Sequence, residues 1–280
     1  IGMDEPKPPQ RRRRKRRWRL DDSTVWYPRK SRGNSKDYYE TEGSLRTVFE
    51  TDWSMACPGL ERLLAGDSGE KNLAHCNAAV CFWLHHRVVY GAFDYYSALL
   101  DSGKDAHGEV QIFMISYNAY TEFARDCGLV NKACPLTTHD LIWATVNAVP
   151  HNQFVRAHDR WNHKRMMNRH EFLQALVRVA VALYVQTGEE GEVAPALERL
   201  LTKLESTLPP EAMQDSNAFR KSRCYNELVD ATLRKHQTSL QAIYDVYARA
   251  NKDAQDELQS SKTMSIGEWL SFVEHLGLLE

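Results

Sequence analysis

The amino-acid sequence predicts an all-α, mainly helical fold of helix–loop–helix units with short strands in the loops. Three observations predict it. Apolar residues recur at i, i+3 and i+4 in successive stretches. Helices alternate with loops of 12–17 residues. One local outline also repeats: an apolar residue, a polar one, two free positions, Glu, then an aromatic opening an amphipathic helix. It stands at Met167–Ala180 (M-N-R-H-E-F-L-Q-A-L-V-R-V-A), at Met264–Phe272 (M-S-I-G-E-W-L-S-F) and, without its Glu, at Ile115–Phe123 (I-S-Y-N-A-Y-T-E-F).

The elements follow in order. Residues 1–36 combine Pro, Arg, Lys and Ser with few apolar groups and read as an extended arm. Residues 44–65 read as helix through Leu45, Val48, Phe49 and Trp53, then Leu60, Leu63 and Leu64, split by Pro58-Gly59. Residues 71–100 form one helical region with Val80, Trp83, Leu84, Val88, Phe93, Tyr96 and Leu100 at helical spacing. A short strand at Val110–Ile115 leads into helix 117–128, closed by Gly128. Helix 138–149 starts at Thr137-Thr138 and stops at Pro150. Helix 169–186 is apolar nearly all round, which marks the centre of the core. Helices 193–206, 215–222, 225–250 and 266–276 complete the chain.

Composition bounds the function. The chain has 280 residues and a net charge of -1, enough to bury a sizeable core. Residues 1–36 carry 13 Lys/Arg against 4 Asp/Glu, so the rest is acidic. A basic arm on an acidic body points to docking on a polyanion. Six cysteines without CxxC or zinc-ribbon spacing read as buried, reduced thiols of a cytosolic-type compartment. No run approaches the ~20 apolar residues of a membrane span, and no secretory signal is visible.

The segments 115–129, 141–147 (L-I-W-A-T-V-N), 168–180 and 264–272 resemble the calmodulin-like EF-hand superfamily. More narrowly, they are similar to degenerate EF-hand-type domains of flagellar and ciliary proteins of protists. The resemblance covers roughly residues 80–280. It implies paired EF-hand-like units, partner binding in the grooves between hands, and an axonemal, cytoskeletal setting in the cytoplasm. The organisation expected is a basic arm at 1–36, a helical segment at 37–70, an EF-hand-like pair at 71–190 and a second, degenerate unit at 191–280.

A calcium loop needs oxygen ligands at positions 1, 3, 5 and 9, Gly at 6 and a bidentate Glu at 12. Each loop is registered on its apolar position 8. With Ile115 there, positions 1, 3, 5 and 12 are Gly108, Val110, Ile112 and Ala119. With Met167 there, Arg160, Asn162, Lys164 and Arg165 fill positions 1, 3, 5 and 6, and Glu171 keeps position 12. Cationic side chains repel the ion such a loop should hold. With Met264 at position 8, Glu257 is position 1 and Glu268 position 12, and Asp253 and Asp256 lie upstream. That third loop is the one candidate metal site, through Asp253, Asp256, Glu257 and Glu268. The retained glutamates have a plainer reading: Asn168-x-x-Glu171 and Ser265-x-x-Glu268 are capping boxes.

Other constellations are weaker. His151, His158, His163 and His170 lie within twenty residues but at no standard zinc spacing and among Arg and Lys. His85-His86 reads as packing or a buried hydrogen bond. No nucleophile elbow, phosphate-binding Gly loop or His-Glu-x-x-His occurs, so an enzyme is not expected. Nor is a small-molecule substrate or a cofactor. The run Arg11, Arg12, Arg13, Arg14, Lys15, Arg16, Arg17, Trp18, Arg19 has four readings: a nuclear or nucleic-acid element, a membrane-surface tether, an arm on an acidic protein lattice, or a solvated tail. No nucleic-acid-reading fold accompanies it, which disfavours nucleic acid. The expectation is a structural or adaptor protein of a larger assembly, with tubulin or microtubules as candidate partner. The alternative is a calcium-responsive regulator using loop 251–268.

Overall fold

The computed structural model describes residues 17–33, 36–64, 71–99, 114–148, 166–248, 264 and 266–278. These residues are mostly helical, with one two-stranded sheet, so the fold is all-α.

The most apolar helix is the central one. Helix α7 (Arg169–Ala180, numbered in the order of the chain) carries Phe172, Leu173, Leu176, Val177, Val179 and Ala180, each at most 1% exposed. Burial of one such large side chain contributes about 1.5–3 kcal/mol. Its backbone continues into a π-turn, Val181–Val185. Helices α2 (Glu42–Leu64), α6 (Leu136–Val146) and α8 (Val193–Thr207) pack around it. Helix α8 presents the fully buried stripe Ala196, Leu197, Leu200, Leu201 and Leu204. One buried cluster runs from Phe49 to Ala212. It therefore crosses the boundaries read at 70/71 and 190/191.

Pro58 and Gly59 do not split the first long helix. Helix α2 is continuous through both. A proline inside a helix removes one hydrogen bond and costs about 3 kcal/mol. Here it lies on the exposed face, while Ala56, Leu60 and Leu64 on either side are buried against the core. Packing of both halves outweighs the local cost. Gly59 has a separate role: a Cβ there would meet the Gln174 side chain at 2.1 Å, so its bareness lets α2 approach α7. Arg178 Nη2 donates to the Gly59 carbonyl at 2.7 Å and ties the two helices at that point.

The region expected as one helix at 71–100 is two, α3 (Lys71–Leu84) and α4 (His86–Ala98), broken at His85. Val80 and Leu84, expected in the core, are 56% and 68% exposed, while Ala78 and Phe82 are fully buried. Periodicity located a helix but not the face that α8 selects. Helix α5 (Tyr117–Asp126) starts under the hydroxyl of Ser116, which accepts the Ala119 N–H, and ends at Gly128 with φ +59°. Helix α6 begins at Leu136 behind Pro135, earlier than expected, and buries His139, Ile142 and Val146.

Two strands form the sheet, β1 (Ile115–Ser116) and β2 (Met166–Met167), antiparallel with Ile115 opposite Met167. These are the two residues assigned to position 8 of their loops. The strand expected at Val110–Ile115 is seen only from Ile115 onward. Residues 110–113 lie outside the described residues.

Beyond α8 come a 3-10 turn (Pro210–Met213), α9 (Ser216–Phe219) with a π-turn (Arg220–Cys224), α10 (Glu227–Lys235), α11 (Gln237–Tyr247) and α12 (Ile266–His275). The helix expected at 225–250 therefore breaks at His236. Of its apolar residues, Leu228 is 77% exposed, Leu240 41% and Ile243 39%.

The arm is a further correction. Residues 17–33 are folded, with a 3-10 turn at Leu20–Asp22 and helix α1 (Tyr27–Arg32). Composition alone pointed to an extended segment. The ordering comes from long-range contacts with α10.

Candidate partner-binding surfaces

The paired loops hold no cation set among the described residues, and their retained glutamate is used as a cap. Asn168 Oδ1 accepts the Glu171 N–H at 3.1 Å, and Glu171 Oε2 accepts the Asn168 N–H at 2.9 Å. Both halves of the capping box read from the sequence are therefore present. Glu171 is buried at 3% exposure. The other expected ligands fall differently. Asp253, Asp256 and Glu257 lie outside the described residues, as do Ser265, His151, His158 and His163. Glu268 is buried at 3% exposure at the start of α12. Among the described residues no group of three or more His, Cys, Asp or Glu is placed to hold a metal.

Met264 is held differently from its two counterparts. Its backbone N–H donates to the Tyr244 hydroxyl at 2.9 Å. The contact comes from α11 of the same unit, where Ile115 and Met167 instead pair with each other. Helices α11 and α12 are joined by Tyr247, whose ring meets Phe272 edge-on at 5.3 Å and whose hydroxyl lies 2.8 Å from His275 Nδ1. Helix α11 buries no residue. Leu240, Ile243 and Val246 are exposed on it, and Trp269, Leu276 and Leu278 are exposed on and after α12.

The arm is fastened to α10 through a buried polar contact. The Ser23 hydroxyl donates to Asp230 Oδ1 at 2.5 Å and accepts the N–H groups of Trp26 (2.9 Å) and Val25 (3.2 Å). One side chain thus holds the turn that leads into α1 and bridges to a residue 207 positions away. Asp230 is fully buried, and Arg234 Nη2 lies 2.8 Å from its other oxygen. That ion pair lacks hydrogen-bond alignment. Tyr225 supplies the apolar half of the clasp. The rings of Trp26, Tyr39 and Tyr38 meet it edge-on at 5.2, 5.4 and 6.0 Å, and its hydroxyl donates to the Tyr38 carbonyl at 2.9 Å. Of the expected basic-arm residues, Arg17 and Arg19 are exposed and Trp18 is half-buried, while Arg11–Arg16 lie outside the described residues.

A cleft of about 1370 Å³ opens between α1, the first turns of α2, α4 and the segment around α9. Two of its lining residues, Tyr90 and Arg169, hold the buried Asp52: it is 6% exposed, accepts from the Tyr90 hydroxyl at 3.0 Å and from Arg169 Nη2 at 3.4 Å, and forms an ion pair with Arg169 Nε at 3.1 Å. Burial pushes the Asp52 carboxyl above its ordinary value, against the opposing pull of Arg169 and Tyr90. This network ties α2 and α4 to the first residue of α7. On the far side, Glu40 and Asn217 exchange backbone-to-amide hydrogen bonds of 3.0 and 2.9 Å, and Arg220 pairs with Glu40 at 3.0 Å.

The histidines and thiols are structural in their contacts. His85 Nε2 lies 2.9 Å from Glu198 Oε1, and His86 stacks on Trp83 at 4.6 Å. His139 is 1% exposed between the Tyr120 hydroxyl (3.0 Å) and Cys134 Sγ (3.4 Å), and burial holds its pKa below the usual value. All six cysteines are free. Cys127 and Cys134 are buried, which raises both thiols to about 11, whereas Cys76 is exposed.

Sequence reasoning missed Ser23, Tyr225 and Asp230. One signal was legible: Asp230 lies beside Val229 and Leu233 on the helix, so an acid stands among apolar neighbours. No described helix is long and apolar enough to cross a membrane. No protein-family model, curated protein or solved structure matches the chain.

Proposed function

We propose that this chain is a non-catalytic structural or adaptor protein of a larger assembly, with EF-hand-like units and a setting in the ciliary or flagellar axoneme. The uncovered apolar face of α11 and α12 carries this reading. Leu240, Ile243 and Val246 on the first of these helices and Trp269 and Leu276 on and after the second are all exposed, which is costly in water and suits a partner protein. The antiparallel pairing of Ile115 with Met167 supports the EF-hand-like relationship, because both occupy position 8 of their loops. The capping role of Glu171 supports a scaffold fixed in one state, since a pair of hands that binds no ion has nothing to open it. Tubulin polymers are the proposed acidic partner of the basic arm.

Co-sedimentation of the purified chain with microtubules tests the reading. Pelleting at low salt, reduced by raising salt and by the double variant Ile243→Asp/Val246→Asp, is expected. A chain that stays in the supernatant at low salt removes the microtubule assignment. The calcium-responsive alternative has one observation in its favour, the buried carboxylate of Glu268. Calorimetric titration decides it: a micromolar calcium site abolished by Glu268→Gln makes this a regulator.

A further inference from the structure

We propose that residues 17–33 and 216–235 form one composite docking surface for an acidic, partly apolar segment of a partner protein. The proposal rests on the adaptor reading and names where and what the adaptor binds.

The clasp brings two basic stretches together that are far apart in sequence. Ser23 on Asp230 and Trp26 on Tyr225 set α1 beside α10. Arg29 and Arg32 of α1 share a cleft with Ser216 and Asn217 of α9. Three cations here are neutralised by the chain itself: Lys30 by Asp21, Arg220 by Glu40 and Arg234 by Asp230. Arg17, Arg19, Arg29 and Arg32 from the arm are exposed and make no ion pair among the described residues. The same holds for Lys221, Arg223 and Lys235 from the second stretch. Acids nearby are partly committed to backbone: Asp22 accepts the Arg19 N–H, and Asp215 accepts the Asn217 N–H. The corner is therefore rich in cations available to a ligand.

Its apolar content selects the partner class. Tyr27, Phe219 and Leu228 stand 52%, 57% and 77% exposed among these cations. A phosphate backbone gains nothing from such groups, whereas protein interfaces are enriched in aromatic residues and Arg. Electrostatic matching between an acidic peptide and these arginines and lysines sets its register.

The test is fluorescence anisotropy with a labelled glutamate-rich peptide containing Phe, on the full chain. Lys221→Glu/Arg223→Glu and, separately, Leu228→Asp are each expected to weaken binding about tenfold. Arg62→Glu/Lys132→Glu makes the same charge change at exposed positions elsewhere and is expected to leave affinity nearly unchanged. Circular dichroism verifies the fold of each variant. If Lys221→Glu/Arg223→Glu behaves like that control while removal of residues 1–16 abolishes binding, the composite surface is wrong and the adaptor reading survives. Tighter binding to duplex DNA or to phosphatidylserine vesicles than to the peptide overturns the partner class. No binding of any acidic probe by the native chain overturns the surface and the arm's role together.

Discussion

Replacing Ser23 with Ala removes two contributions at once. The hydroxyl donates to a buried carboxylate at 2.5 Å, and a hydrogen bond to a charged group contributes about 1.5–3 kcal/mol. It also accepts the Trp26 N–H at 2.9 Å in the turn that leads into α1, and loss of such a cap-like contact costs about 0.5–2 kcal/mol. The two share one atom, so the sum is not strictly additive, and a loss of about 3 kcal/mol is expected. That loss falls on the clasp, because no residue of 17–33 belongs to the main buried cluster. The readout must therefore be local. Trypsin cuts after Arg29 and Arg32 only when the arm lifts, and at low protease the rate follows the open population. An energy of about 3 kcal/mol corresponds to roughly a hundredfold faster cleavage, with little change in the global denaturation midpoint. Cleavage accelerated less than about threefold would refute the reasoning. Asp230→Asn keeps an acceptor in place and is expected to accelerate cleavage less than Ser23→Ala.

Three more outcomes are expected. Gly91→Ala should destabilise the fold by about 2 kcal/mol despite better helix propensity, because its Cβ would lie 2.2 Å from the Ala212 carbonyl oxygen; Gly43→Ala, with nothing within 4 Å, should be neutral or slightly stabilising in the same urea titration. His139, whose folded pKa lies below its ordinary 6.5, binds its proton more readily when unfolded, so stability should fall as pH drops through 6.5, with a slope approaching about 1.4 kcal/mol per pH unit; His139→Gln should remove that slope, and an unchanged slope would assign it elsewhere. Asn168→Ala should lower stability by about 1 kcal/mol to the same extent with and without millimolar calcium; a calcium-dependent difference would mean that Glu171 serves an ion.

Much of the fold was legible because burial imposes itself on long apolar runs. Helix α7 was identified as the centre since no polar face remains on it. The capping box at Asn168 and the helix stop at Gly128 are local chemistry and read directly. The breaks at His85 and His236 were not legible, because the apolar pattern continues across both. Nor was the face of α3, since Ala78 and Phe82 are chosen over Val80 and Leu84 by what α8 offers opposite. Pro58 was over-weighted: a local rule about proline yielded to burial on both sides of it. At the site level the basic run stood out as composition, but its fastening to Asp230 depends on a contact across 207 residues that no local window contains.

The clasp also has a mechanical meaning. Tension applied between the arm and α10 passes through Ser23, Asp230 and the Tyr225 ring cluster, and the core between them carries none of it. The helical body is in effect shunted out of the load path. Under pulling, the first event is then a short, reversible parting of the clasp, and only afterwards does force reach α2 and α7. A protein built this way yields at a latch that can re-engage and leaves its interior packed.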